Sequence, residues 1–292
     1  MRIGILITHI RAEEKLLISA FQARGIEPDI ILDRDLNFDV IAGSGQLAPS
    51  GVAWSEYDVV MERSVSTSRG LYALALLNSW GIATINRYDT ASICADKLRT
   101  TIALAQAGVP QPSTRVAFDP DSAMKAIGDL GYPAVLKPVT GSWGRLLARV
   151  NDSDSAEAII EHRQTLGDYN HHTYYVQSYI NKPGRDIRAF VVGDRTICAI
   201  YRTSPHWITN TARGGQASNC PVTPELNDLC IRAAQAVGGG ILAIDVLEDA
   251  DGQLLINEIN HTMEFRNSSA PTGVDIPTEV VNHALNTIGV TA

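Results

Sequence analysis

The chain has 292 residues, a formal net charge of −8 at pH 7, 45% hydrophobic residues and 19% charged ones. This length holds about two domains with sizeable cores, or three small ones, and the composition excludes a disordered chain. General nucleic-acid binding is excluded as well, because it needs clustered Lys and Arg and no long basic run occurs, and no apolar run reaches the length of a membrane span.

Met1 and Arg2 lead straight into RIGILI, a buried parallel strand, with no signal-peptide pattern. The helix Ala12 to Arg24 closes at Gly25, and Pro28 to Leu32 and Tyr57 to Met61 read as two further strands. Residues 37–56 carry no clear period. A helix over Ser66 to Trp80, stopped by Gly81, precedes a short strand from Ile82 to Ile85. Strand and helix alternate through this region, so it reads as a small open α/β domain, and without G-x-G-x-x-G after its first strand it has no dinucleotide site.

A helix from Asp96 to Ala107 and the extended Val109-Pro110-Gln111-Pro112 mark a domain boundary nearby. Val116 and Phe118, the helix Asp121 to Leu130 and the strand Pro133 to Lys137 make a β-α-β start, followed by a helix over Ser153 to Thr165. Tyr174 to Ile180, Asp186 to Val192 and Thr196 to Arg202 are strands. The polar connection from Thr203 to Thr223 is longer than structureless loops in compact domains usually run, which suggests a functional or ligand-ordered segment. A helix over Pro224 to Val237, a hairpin and a closing helix over Ile276 to Ile288 complete the chain. The expected domains are 1–94, 95–180 and 181–292.

The hairpin carries the strongest chemical signal. Strands Gly240 to Glu248 and Gln253 to Ile259 flank Asp249-Ala250-Asp251-Gly252, which is good turn chemistry. Asp245 then lies across from Glu258 and Asn260, whose two-residue spacing puts both side chains on one face. Two carboxylates and an amide oxygen suit Mg²⁺; a solvated polar hairpin face is the competing explanation.

Four other stretches carry cations, amides or glycines. Lys137 ends an apolar strand before Thr140-Gly141-Ser142-Trp143-Gly144-Arg145, so an ammonium and backbone N–H groups can face a polyphosphate, although a surface lysine beside a flexible turn reads the same way. No G-x-x-x-x-G-K-[ST] loop is present. Lys97 lies one turn into its helix, where lysines are commonly solvated. Gln177-Ser178-Tyr179-Ile180 runs into Lys182, Gly184, Arg185, Asp186 and Arg188, an extended hinge able to read the edge of adenine with cations beside it. Arg188, Arg202 and Asn210-Thr211-Ala212-Arg213-Gly214-Gly215 supply the donors that a transferring phosphoryl group needs. Cys94, Cys198, Cys220 and Cys230 have neither C-x-x-C spacing nor zinc-finger His partners, and reduced thiols point to the cytoplasm.

The ordered set resembles the ATP-grasp carboxylate–amine ligases over nearly the whole chain. The run Glu258-Ile259-Asn260-His261-Thr262-Met263-Glu264-Phe265-Arg266-Asn267-Ser268 is most similar to the α-aminoadipate–LysW ligases, relatives of the RimK-like glutamate-adding enzymes. The resemblance implies an ATP-grasp fold of the mixed α/β (α+β) class with an N-terminal Rossmann-like pre-ATP-grasp domain. It implies ATP phosphates on Lys97 and Lys137 under the loop Gly141 to Gly144, with adenine at Gln177, Ser178, Tyr179 and Ile180. Arg188, Arg202 and Asn210 would contact phosphate or acyl phosphate, and Arg213, Gly214 and Gly215 would bind substrate. Two Mg²⁺ ions would sit on Asp245, Glu258 and Asn260, with Glu258 bridging, while Arg266, Asn267 and Ser268 would receive the amino acid.

The implied reaction joins the side-chain carboxyl of the C-terminal glutamate of an acidic LysW-type carrier to the amino group of α-aminoadipate. Glutamate in place of α-aminoadipate is the near alternative, the two differing by one methylene worth about 1–3 kcal/mol in a pocket. A non-catalytic ATP-binding module is the alternative of another class. An acidic carrier meeting a net-negative chain requires a local positive surface, for which Lys182 and Arg185 are candidates. Relatives suggest a homodimer or homotetramer.

Overall fold

The computed structural model of the chain describes residues 1–141, 145–167, 169–210 and 214–289. Strand β1, Ile3–Ile7, is buried along its whole length, as a run of Ile, Gly and Leu covered on both faces should be. After α1, Ala12–Gln22, come β2, Asp29–Leu32, and β3, Val59–Arg63, which flank β1 in parallel. Helix α2, Thr67–Ser79, leads to β4, Thr84–Ile85, and the sheet order is β2-β1-β3-β4. Gly70 lies inside α2 because Glu62 packs there: a Cβ at Gly70 would stand 2.5 Å from Glu62 Oε1. In the unpatterned 37–56 region short 3-10 turns wrap around the buried Trp54. Helix α3, Tyr88–Cys94, has no counterpart among the sequence expectations and precedes α4, Lys97–Gln106.

The second sheet consists of β5, Thr114–Ala117, β6, Ala134–Lys137, β7, Ala148–Val150, and β8, Tyr174–Ser178. Its order, β5-β8-β6-β7, inserts β8 between the two strands expected to form a simple β-α-β unit, and every pairing is antiparallel. Helices α5, Pro120–Leu130, and α6, Ser153–Leu166, cover one face through Ala123, Ile127, Ala156 and Ile160. Their starts are fixed by Asp119 and Asp152, which accept backbone N–H groups of the first turns.

The third sheet runs β11-β10-β9-β12-β13, all antiparallel. Its strands are β9, Arg185–Val192, β10, Arg195–Thr203, β11, Gln216–Cys220, β12, Ile241–Glu248, and β13, Leu254–Asn260. The stretch from Thr203 to Thr223 is therefore not loop throughout. β11 pairs along β10 with Ala217 opposite Arg202, and its polar residues escaped the hydrophobic pattern because an edge strand has one solvated side. Helix α7, Pro224–Ala236, covers one face through Leu226, Cys230 and Ala233. After the short helix α8, Ser269–Thr272, helix α9, Ile276–Thr287, covers the other face together with α1 and the N-terminal sheet. Asn86 joins the two units: its Nδ2 donates to the Ile241 and His261 carbonyls at 2.8 and 2.7 Å, and its Oδ1 accepts from the Ile241 N–H at 2.7 Å. All four cysteines are free thiols, and among the described residues no helix is long and apolar enough to cross a membrane.

Candidate active site

The β12–β13 hairpin places Asp245 directly opposite Glu258 and Ala243 opposite Asn260. Between Asp245 and Val246 the register slips by one residue, so Asn257 is the extra residue of a β-bulge. Ile256 and Ile259 are both buried in the sheet core, which leaves Asn257, Glu258 and Asn260 for the other side. Asp245 is 5% exposed, and Arg188 and Arg202 reach it at 2.8 and 3.1 Å. Burial alone would raise this carboxyl, but the two guanidinium groups outweigh it and hold Asp245 below the usual carboxylate range.

The two lysines arrive from different parts of the chain. Asp96 caps α4 by accepting the Leu98 and Arg99 N–H groups, and this puts Lys97 on the first turn. Lys97 Nζ donates to the Gly141 carbonyl at 2.7 Å and lies 3.6 Å from Glu258 Oε1. Lys137, at the end of β6, is 6% exposed, and its Nζ donates to Asn257 Oδ1 at 2.8 Å. Burial, only partly offset by Glu258, pushes its ammonium down to about 8. A buried cation with one amide partner is set to gain from an incoming polyphosphate.

Arg202 belongs to a buried network. Its guanidinium donates to both oxygens of Asp186, at 2.7 and 2.8 Å, while Thr209 Oγ1 donates to Asp186 Oδ2 at 2.5 Å. Lys182 donates to Thr209 Oγ1 at 2.7 Å. This network fixes the start of the loop that carries Asn210.

These residues surround two adjoining chambers. The inner one is lined by Lys97, Lys137, Gly141, Gln177, Ser178, Tyr179, Ile180, Arg202, Asn210, Asp245 and Glu258. The outer one, of about 530 Å³, is lined by Arg188 and Asn260 together with Arg11, Ser64, Thr262 and Glu264. Lys97, Arg202, Asn210, Asp245 and Glu258 line both and so stand at the junction. The lysines of two early segments and the late oxygen cluster thus share one cleft.

The described structure does not bring every expected residue there. Gly214 and Gly215 line neither chamber; Gly214 has φ +88° and Gly215 donates its N–H to the Asn210 carbonyl at 3.3 Å, so they close the turn. Arg266 and Asn267 are exposed, Ser268 is buried, and none of the three lines either chamber. Ser142, Trp143, Gly144 and Arg213 lie outside the described residues. Several chamber residues escaped the sequence reading. Asn257 did so because its bulge breaks the period-2 rule, and Arg11 and Ser64 because nothing in their local sequence marks them.

Residues 94–284 match the RimK-like ATP-grasp domain and residues 3–93 the LysX preATP-grasp domain. The chain belongs to the RimK-like ATP-grasp family. A glutamate–LysW ligase of Sulfolobus acidocaldarius is 35% identical over 288 residues, covering 98% of this chain and 99% of the relative. An α-aminoadipate–LysW ligase of Saccharolobus solfataricus is 38% identical over 215 residues, covering 73% and 78% of the two chains. The crystal structure of a RimK domain ATP-grasp protein from Sphaerobacter thermophilus superposes with a TM-score of 0.80 at 31% identity, covering 97% of this chain and 99% of that one.

RimK-like ATP-grasp proteins are ligases that use ATP with Mg²⁺, and the donors present fit such an ion. Among the described residues no three His, Cys, Asp or Glu side chains cluster as a metal site; the oxygen-bearing side chains that the hairpin brings to the outer chamber are those of Asp245, Glu258 and Asn260. His261 adds no charge: burial, with Arg63 beside it, pushes its ring down to about 4.

Proposed function

We propose that the chain is an ATP-dependent ligase joining the side-chain carboxyl of the C-terminal glutamate of a LysW-type carrier protein to the amino group of α-aminoadipate. The observation that supports this best is the junction of the two chambers. Lys97, Arg202, Asn210, Asp245 and Glu258 line both chambers, which supports a nucleotide in the inner one reacting with acceptor groups in the outer one.

In this reading adenine lies along Gln177 to Ile180, and Lys97 and Lys137 hold the phosphates. A carboxylate oxygen of the carrier attacks the γ-phosphorus, the bond to ADP breaks, and an acyl phosphate forms. The amine nitrogen of the amino acid then attacks the acyl carbon, phosphate leaves, and the nitrogen loses a proton to give the amide. Arg202 and Asn210 donate to the phosphoryl and acyl oxygens as charge moves between them, and Arg188 supports them from the outer chamber. Mg²⁺, two ions in this reading, held by Asp245, Glu258 and Asn260, supplies further neutralising charge to the phosphates. No side chain becomes covalently modified.

Glutamate as the amine is the second reading, favoured by the glutamate–LysW ligase that matches almost end to end. The test combines the purified chain, ATP, Mg²⁺, a LysW-type carrier and each amino acid in turn, following ADP release and the mass of the carrier. The expected result is ADP release that needs carrier and amino acid together, a carrier heavier by one acylated amino acid, and loss of both in Glu258→Gln with the fold retained. ADP release indifferent to carrier and amino acid, or a fully active Glu258→Gln, would overturn the assignment, and nucleotide binding with no ADP release at all would make the chain a binding module.

A further inference from the structure

The period of β6 divides the inner chamber along its length. Ala134 and Leu136 point into the core beneath α5 and α6, so Val135 and Lys137 face the chamber. Lys137 stands at the end where the phosphates lie in the reading above, and Val135, two residues back and so about 7 Å away, stands toward the other end. Val135 pairs with Gln177, and Tyr179 follows two residues later. From the third sheet and its β10–β11 loop, Trp207, Ile208 and Leu247 line the same chamber. The chamber is therefore charged where the lysines enter and apolar and aromatic beyond them, the polarity that a nucleoside triphosphate itself has.

Trp207 lies in the loop between β10 and β11, three residues before Asn210, and is half-buried. Its ring centroid is 6.4 Å from that of Tyr179, in an edge-to-face pair inclined at 61°. Arg149, on β7, serves both rings: its guanidinium carbon is 5.3 Å from the Tyr179 centroid and 5.8 Å from the Trp207 centroid, and it donates to Tyr179 Oη at 3.4 Å. A guanidinium over a ring is drawn to the negative face of the π-system. One cation of the second sheet thus holds a ring of its own sheet and a ring of the third sheet's loop. An indole fixed in this way on the wall of a chamber that already offers an extended hinge is a platform on which a base can stack.

We infer that Trp207 is the stacking ring of the nucleotide's base site and that Arg149 is a positioning residue that holds it against Tyr179. The base then lies between the hinge Gln177 to Ile180 and a side chain of the loop that carries Asn210. The inference deepens the ligase reading above and rests on it for the presence of a nucleotide. It also joins the base to the junction of the chambers, because Trp207 and Asn210 share one short stretch of chain.

Calorimetric titration of the full chain with Mg²⁺–AMPPNP and, separately, with inorganic tripolyphosphate tests it, because tripolyphosphate carries the charges of the nucleotide and no base. Trp207→Ala should bind AMPPNP about tenfold more weakly than wild type, the loss of one base–aromatic stack, with tripolyphosphate binding unchanged. Trp207→Phe should recover most of that loss. Arg149→Met should weaken AMPPNP about threefold, again without moving tripolyphosphate. AMPPNP affinity within twofold of wild type in Trp207→Ala, or an equal loss for AMPPNP and tripolyphosphate, overturns the base site and leaves the ligase reading standing. Arg149→Met indistinguishable from wild type overturns the positioning role. If tripolyphosphate binds wild type too weakly to follow, recovery by Trp207→Phe supports the stack and its absence overturns it. Wild-type binding of AMPPNP with no turnover of any carrier and amino acid sinks the ligase reading, and the same variants still decide the base site; no binding of AMPPNP by wild type overturns both.

Discussion

Replacing Asp186 by asparagine removes the charge that holds three cationic or polar groups at the junction while keeping the shape of the side chain. Asp186 is 4% exposed and Arg202 2% exposed, with two hydrogen bonds of 2.7 and 2.8 Å between them. Lys182 Nζ stands 3.7 Å from the same carboxylate. Without it, Arg202 and Lys182 share the pull of Asp245 with Arg188, and breaking a buried ion pair from one side costs about 3–5 kcal/mol. The low end applies here, because Lys182 keeps Thr209 Oγ1 as an acceptor at 2.7 Å and its ammonium, already disfavoured by burial, loses only one of the two carboxylates that pull the other way. The expected loss is therefore about 3 kcal/mol in urea unfolding. Arg202→Met should cost a similar amount by stranding Asp186, and the double variant much less than the sum, with a coupling of about 2–3 kcal/mol. Asp186→Asn within about 1 kcal/mol of wild type, together with additive single variants, would refute the view that this pair is energetically coupled.

Burial raises the Glu62 carboxyl from 4.5 to about 6. Its protonated form is thus preferred in the folded chain, so this contribution to stability is complete below pH 4.5 and is lost as pH rises through 6, a change of about 2 kcal/mol. Glu62→Gln, which cannot titrate, should remove that decline, and parallel pH–stability curves for the two proteins between pH 4.5 and 7 would contradict it. Asn257→Ala leaves the buried Lys137 ammonium without its amide partner; a hydrogen bond to a charged group is worth about 1.5–3 kcal/mol, so urea unfolding should show a loss of that order. If Asn257 also aims Lys137 at the phosphates, the ATP KM rises as well, whereas Lys137→Met should weaken ATP binding whether or not Asn257 is present.

The residues that were legible in the sequence are those whose roles depend on short-range order. β1 and the apolar first part of β3 could be read because a parallel strand covered on both faces is largely apolar, whereas the buried Glu62 and Arg63 carry β3 beyond the expected end at Met61; α4 could be read because Asp96 caps it. Asp245 and Glu258 came within reach because one turn brings their two strands together, although that turn's own register would set Asp245 opposite Asn257 and the bulge moves Glu258 there. What stayed hidden depends on a break in local order or on distant packing. The bulge at Asn257 turns a residue expected on the core face toward Lys137, and no spacing rule encodes where a strand will bulge. Ser64 and Arg11 come to line the cleft only because Asn86 ties the N-terminal sheet to Ile241 and His261, which brings the end of β3 against the β12–β13 hairpin. Arg266, Asn267 and Ser268 line neither chamber for the converse reason. They follow Asn260 closely in sequence, yet the chain buries Met263 and Phe265 in the core shared with α1 and leaves the cleft after Glu264. Proximity along the chain carried the expectation at those three positions, and burial of two apolar side chains, a stronger force than any polar contact they could make in the cleft, decided where the backbone went.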